Sequence, residues 1–358
     1  MKNIEITYFG ILRSITSWAK VSRELLYALN ANGVNINVYE RKGFLFDPSF
    51  SLSSDIETKI TGEFKGDVVF TFEHPKNYIH LPEQSFNVGF LVYEFTCLPE
   101  FWVEMINEKL DMVFVPSSFC QKVFLDSGVE ENKIRVLRYG FNPIYYYPLS
   151  VRAKDNDGTF AFLSIASPHK REGIEFLLNS YSRAFSKEDN VNLILKLTYI
   201  PSGKIKPFEY PNILGLVNSF RDKKNAPRIE VVSGRLTEKE MGDLYRYSDA
   251  YVSLTRGEAF GLCFLEALAS GMPVAGVNWS GQADFLNERN SHFIDFSLVT
   301  AKDEVYETIP DPGMIALPDL DSAADVMRKL FLNREGNTFR REHYLWSSVA
   351  KDFISLVS

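Results

Sequence analysis

A chain of 358 residues is long enough for two domains, each with its own core, and its 45% hydrophobic content excludes a disordered protein. The formal net charge of −7, spread evenly over the two halves, excludes the broadly basic surface of a nucleic-acid binder. No apolar run reaches the length of a membrane span and the first residues lack the apolar core of a signal peptide, so a cytoplasmic location is expected, with peripheral contact at the inner face of a membrane left open.

Residues 1–8 alternate polar and apolar like a strand. After a loop over 9–16, an amphipathic helix is predicted over 17–30, with Leu25, Leu26 and Leu29 on one face and Gly33 as its stop. Short apolar runs at 36–39, 67–72, 87–93 and 111–115 read as further strands. Helical or irregular segments separate them, the alternation expected of a parallel sheet with helices on both faces. The run Tyr145-Tyr146-Tyr147-Pro148 and the polar segment 154–158 place a domain boundary near 150. Within that linker Asp155-Asn156-Asp157 matches the D-x-D pattern of metal-nucleotide sites, but it lies beside Gly158, where turn formation accounts for it. The five histidines, His74, His80, His169, His292 and His343, lack metal-ligand spacing, and Cys97, Cys120 and Cys263 read as buried reduced thiols, so no metal site is assigned.

An apolar strand at 160–165 opens the second domain and runs into the polar turn Ser167-Pro168-His169-Lys170-Arg171-Glu172-Gly173, which can bring Lys170 and Arg171 onto an anion. A strand at 229–232 is followed by Arg235 and Leu236. The densest chemistry lies between two β-prone runs at 249–254 and 272–277, where Glu258 and Glu266 stand seven residues apart around a glycine-flanked loop and a short helix. Gly261 permits close backbone approach, and the helix N-terminus, with unpaired N–H groups and a partial positive charge, suits a phosphate. A carboxylate is an acceptor only, and a well-placed one holds neighbouring hydroxyls with on the order of 1.5–3 kcal/mol per charged hydrogen bond. Sugar and ribose hydroxyls are its natural partners. Leu262, Phe264, Leu265 and Leu268 make the helix apolar almost all round, so Glu266 interrupts a buried surface, which disfavours two merely solvated glutamates.

These residues, together with Ser233-Gly234-Arg235-Leu236, Leu244-Tyr245, Ser248-Asp249-Ala250 and Ser280-Gly281-Gln282-Ala283-Asp284, resemble the C-terminal half of a retaining GT-B glycosyltransferase of glycosyltransferase family 4. Val115-Pro116-Ser117-Ser118, Lys133-Ile134-Arg135-Val136-Leu137 and Tyr139-Gly140-Phe141-Asn142 resemble the end of that family's N-terminal domain. The resemblance implies an α/β GT-B fold with two Rossmann-like domains facing across a cleft. Residues 1–150 would form the acceptor-side domain and 151–339 the donor-binding domain, with a helix in 340–358 packing back on the first. The implied reaction moves a sugar, with retention, from a nucleotide-diphosphate-sugar co-substrate to a hydroxyl of a glycan, lipid-linked or other acceptor, as in polysaccharide synthesis, with no further cofactor and no metal in the chemistry.

By the same resemblance Glu258 contacts the donor sugar and is the catalytic candidate, while Glu266 takes the ribose. Gly257, Phe260, Gly261 and Leu262 hold the donor sugar and diphosphate, and Arg235 and Leu236 approach the nucleobase or diphosphate. Three departures stand out. Relatives have a basic residue and then Lys-Gly at the first turn of the second domain; here Glu172 precedes Gly173, so the diphosphate role passes to Lys170 and Arg171. The loop bearing Gly10, Arg13, Ser14 and Thr16, which would face donor phosphates and acceptor, lacks paired glycines. Where many relatives have a histidine after the fourth strand, this chain has Leu91-Val92-Tyr93-Glu94-Phe95, and Glu94 reads equally as a cleft residue or a plain surface one. The departures keep open a non-catalytic sugar-nucleotide-binding homologue. A GT-B nucleotide-sugar epimerase or hydrolase is the other alternative.

Overall fold

The computed structural model describes residues 5–43, 46–149, 158–198, 210–301, 311–333 and 337–358, and these form two units. The linker with the expected boundary near 150 and Asp155-Asn156-Asp157 lies outside the described residues. The first unit comprises Met1–Tyr93, Cys97–Asn142 and Arg341–Ser358; the second comprises Glu94–Thr96 and Pro143–Arg340.

In the first unit, β1 (Glu5–Gly10), β2 (Asn35–Glu40), β3 (Val68–Thr71), β4 (Phe86–Phe90), β5 (Met112–Val115) and β6 (Ile134–Val136) make a parallel sheet in the order β2-β1-β3-β4-β5-β6. Helix α1 (Ser17–Ala31) starts where Thr16 caps the Ala19 N–H, and Gly33, at φ 80°, lets the chain turn away after it. Its apolar stripe of Leu25, Leu26 and Leu29 is fully buried, and Tyr8 of β1 bonds Ser22 at 2.8 Å. Shorter helices α2 (Ser54–Glu57), α3 (Glu100–Lys109) and α4 (Ser118–Asp126) follow. The C-terminal helix, Trp346–Val357, lies against α1 and carries Phe353 onto Phe70 and Phe114, with ring centroids 5.0 and 5.3 Å apart.

In the second unit, β7 (Phe160–Ala166), β8 (Val191–Leu197), β9 (Arg228–Val232), β10 (Ala250–Ser253), β11 (Val274–Val277) and β12 (Ser291–Ile294) form a parallel sheet in the order β12-β11-β10-β7-β8-β9. Helices α5 (Ile174–Ala184), α6 (Ile213–Arg221), α7 (Glu238–Tyr247), α8 (Leu262–Ala269) and α9 (Leu320–Asn333) accompany it, and β13 (Phe296–Thr300) pairs antiparallel with β14 (Met314–Pro318). Residues 94–96 belong here because Thr96 bonds the 312–314 backbone: its N–H donates to Pro312 O at 3.2 Å and its Oγ1 accepts from Met314 N at 2.8 Å. The strand order reverses between β7 and β10. Connections leave those two neighbours in opposite directions, which opens a crevice beyond their carboxyl ends, the usual ligand position in an open parallel sheet. The cysteines are free, but of the three only Cys120 is buried: Cys263 is half-buried, and Cys97 stands at the surface just before α3.

Candidate functional site

Five loops meet the carboxyl edge of the second sheet: 167–173 after β7, the end of β8, 233–236 after β9, 254–261 after β10 and 278–282 after β11. The first and fourth flank the switch point. Gly173 lets them touch, since it sits at φ 67° and a Cβ there would come within 1.9 Å of the Leu254 carbonyl oxygen. The Arg256 N–H then donates to Arg171 O at 2.8 Å, tying the loops by backbone.

Arg171 is the hub. Its Nη1 donates to Gly257 O and lies 3.4 Å from Glu258 Oε1, and its Nη2 donates to Glu172 Oε1 at 3.0 Å. Glu258 Oε1 also accepts from Thr255 Oγ1 at 2.9 Å, and Glu172 Oε1 from Ser167 Oγ at 3.0 Å. Burial pushes the Glu172 carboxyl up to about 7, against the pull of Arg171 and with Glu258 adding to the rise. Glu94 belongs to the same group. Burial raises its carboxyl too, opposed by Arg171 and reinforced by Glu258, and its carbonyl lies so close to Gly257 that a Cβ there would meet it at 2.4 Å. Lys170, half-buried on the Arg171 turn, makes no side-chain hydrogen bond or ion pair among the described residues.

The backbone of Glu258 is clamped from the loop after β11: its N–H donates to Ser280 Oγ at 2.9 Å, and its carbonyl accepts from Gly281 N at 2.8 Å. Ser280 adopts φ 69°, the sole positive φ of a non-glycine among the described residues, and Gly281 could not carry a Cβ, which would fall 2.1 Å from Ala259 O. Strain of this kind persists where surrounding bonds over-determine it. Gly261 at φ 88° then opens α8, whose first turn leaves N–H groups without intrahelical partners, adjoining Phe260 and Leu262. Glu266 lies one turn further on, 2% exposed, its Oε2 accepting from Tyr245 of α7 at 3.1 Å.

The structure thus brings Lys170, Arg171, Glu94, Gly257, Glu258, Phe260, Gly261, Leu262 and Glu266 to the loops at one end of the sheet. Arg235 stands exposed on the turn after β9, with Leu236 half-buried beside it. Gly10, Arg13, Ser14 and Thr16 are in the first unit and are engaged within it. Arg13 pairs with Glu40 and Glu57, Ser14 is buried, Thr16 caps α1, and Gly10 packs on the Tyr8 phenol.

Sequence reading missed Thr255 and Lys196, and quoted Ser280 within the resemblance without giving it a role. Lys196, an interruption in the apolar strand β8, is 3% exposed and donates to Leu197 O at 2.8 Å and Gly234 O at 2.7 Å, and burial lowers its pKa. A lysine in such a strand was the available signal. Among the described residues no group of three or more His, Cys, Asp or Glu could hold a metal, and no helix is long and apolar enough to cross a membrane.

Two parallel six-stranded sheets with two Rossmann-like units define an α/β protein of the GT-B type. Residues 159–308 match the family model described as Glycosyl transferases group 1. The chain is similar to sucrose-phosphate synthase from Thermosynechococcus elongatus, at 15% identity and TM-score 0.71 over 99% of this chain and 98% of that one. It is also similar to HepE of Anabaena solved in complex with UDP-glucose, at 11% identity and TM-score 0.63 over 99% of each chain. A curated relative, mannosylfructose-phosphate synthase of Agrobacterium fabrum, is 23% identical over 179 residues, 47% of this chain and 38% of the relative's own length.

Proposed function

We propose that the protein is a retaining glycosyltransferase that moves a sugar from a nucleoside-diphosphate sugar to an acceptor hydroxyl of a glycan or lipid-linked molecule, acting in the cytoplasm. The observation that carries this reading is the arrangement of Glu258, Glu266, Arg171 and the α8 N-terminus at the switch point of the second sheet. In it Glu266 binds the ribose, Glu258 the donor sugar, and the α8 N-terminus with Lys170 and Arg171 the diphosphate, where positive charge offsets that of the departing group. Arg235 and Leu236 lie toward the base. With the groups so positioned, the departing phosphate oxygen can take the acceptor's proton and no separate base is needed.

UDP-sugars are the first donors to test, because the Anabaena neighbour was solved with UDP-glucose. A panel of UDP-, GDP- and ADP-sugars screened by thermal stabilisation, followed by NMR of the product's anomeric configuration, tests the reading. Stabilisation and transfer with retention are expected; inversion, or epimer or free sugar as the only product, would replace it with another activity. Because two cations are proposed to serve the diphosphate, single-turnover transfer should survive chelation. Its loss in chelator and return with Mg²⁺ or Mn²⁺ would assign that work to a metal.

A further inference from the structure

Glu94, Glu172 and Glu258 share one guanidinium, that of Arg171. The hydrogen bonds of Glu172 are lopsided. Oε1 takes both donors, Ser167 Oγ and Arg171 Nη2, each at 3.0 Å, while Oε2 has no partner among the described residues. The Glu172 side chain as a whole is 12% exposed. The charged groups acting on Glu172 are Arg171 on its own turn, Glu258 from the loop after β10 and Glu94 from the 94–96 segment; Lys170 adjoins Arg171 on the same turn, and Tyr251 of β10 is within electrostatic reach. Only Arg171 and Lys170 are cationic.

A diphosphate settling on Lys170 and Arg171 adds negative charge to this group, and an ionised Glu172 would oppose it. Protonation changes the sign of the interaction. A neutral carboxyl is an O–H donor, and with Oε1 already accepting two bonds the proton belongs on Oε2, the oxygen left without a hydrogen bond among the described residues. We propose that Glu172 binds the donor diphosphate as the neutral acid, its Oε2 hydroxyl donating to a phosphate oxygen, so that donor binding takes up a proton from solvent. The inference rests on the donor-site reading above. The only bond formed is the O–H bond, and the buffer supplies its proton.

The test is calorimetry of the full chain with UDP, GDP, ADP, CDP and dTDP in pairs of buffers of different ionisation enthalpy. At pH 8 the nucleotide's own phosphates, with a second pKa near 6, are already ionised. The wild type should take up more than about half a proton per nucleotide bound at pH 8, and its affinity should fall about three- to tenfold per pH unit above pH 7. Glu172→Gln, which keeps the size and offers an amide donor, should take up none and hold its affinity across that range. Glu94→Gln removes a like charge from a Glu172 still able to titrate. It should therefore increase the uptake at pH 7, where the free wild-type carboxyl is already partly protonated.

Binding without proton uptake by the wild type, or equal uptake by Glu172→Gln, would overturn the role of Glu172 and leave the donor site standing. Loss of uptake in Glu94→Gln would move the proton to Glu94 and overturn it too. Failure of every nucleotide to bind at both pH 6 and pH 8 would remove the donor site itself. Should Glu172→Gln not fold, the wild type and Glu94→Gln still test the assignment: no uptake by the first, or loss of uptake by the second, overturns it.

Discussion

Arg171 divides its guanidinium between the Gly257 carbonyl and two carboxylates, so the glutamates around it should respond differently to the same substitution. Glu258 lies at this hub, whereas Glu266 is buried on α8 with Tyr245. Glu266→Gln should weaken donor and free nucleoside diphosphate alike, by about 2–3 kcal/mol or roughly 30- to 150-fold. Glu258→Gln should lower kcat more than it raises KM and leave nucleotide affinity nearly constant. Nucleotide calorimetry beside steady-state kinetics separates the two, and the reverse pattern would exchange the roles. Glu172 adds a pH dependence of stability. A carboxyl raised on folding from 4.5 to about 7 holds its proton more tightly folded than unfolded, so this contribution is fullest below about 4.5 and is lost as pH rises to about 7. The shift sets an upper limit of about 3 kcal/mol. Urea unfolding of Glu172→Gln should therefore compare better with the wild type at pH 8 than at pH 4.5, by about 2 kcal/mol. Equal differences at the two pH values would mean the carboxyl does not titrate in that window.

At the scale of elements, the site depends on two loops that approach at the switch point through Gly173. Gly173→Ala has both a left-handed φ and a carbonyl in its way, so a loss of about 2–4 kcal/mol in urea unfolding is expected, with weakened nucleotide binding. Thr237→Ala is the contrast. It removes the capping box of α7, in which Thr237 and Glu240 bond reciprocally, and should cost about 1 kcal/mol with nucleotide affinity unchanged. Elements of this kind were legible because their signals are local. Leu25, Leu26 and Leu29 with Gly33 announced α1, and two β-prone runs around a largely apolar octet that holds Glu266 announced β10, α8 and β11. The clamp on Glu258 was not legible, since Ser280 reaches it from 22 residues away and nothing local marks a serine that will adopt φ 69°. Glu172 was visible as a carboxylate out of place, but its partnership with Ser167, Arg171 and Glu258 follows only from the loops' mutual approach.

Across the whole molecule, the alternation of apolar runs and helices gave away two α/β units, but the path of the chain between them left a weaker trace. Residues 94–96 belong with the second unit through bonds to the 312–314 backbone, a separation of over two hundred residues that no periodicity reports. The final helix belongs to the first unit, where Phe353 is fully buried against Phe70 and Phe114; the expectation of such a return came from the resemblance and from no local periodicity. Phe353→Ala should therefore destabilise the first unit by about 3–5 kcal/mol, through lost burial and the cavity left behind. If the second unit binds nucleotide as proposed, the ligand should stabilise that unit by about 2.7 kcal/mol at one hundred times its Kd. Scanning calorimetry with and without nucleotide should then show two separable responses: a transition lowered by Phe353→Ala whatever the nucleotide, and one raised by nucleotide in wild type and variant alike. If instead the substitution abolished the nucleotide response, the donor loops would depend on the first unit's core, and the second sheet alone would not suffice to form the site.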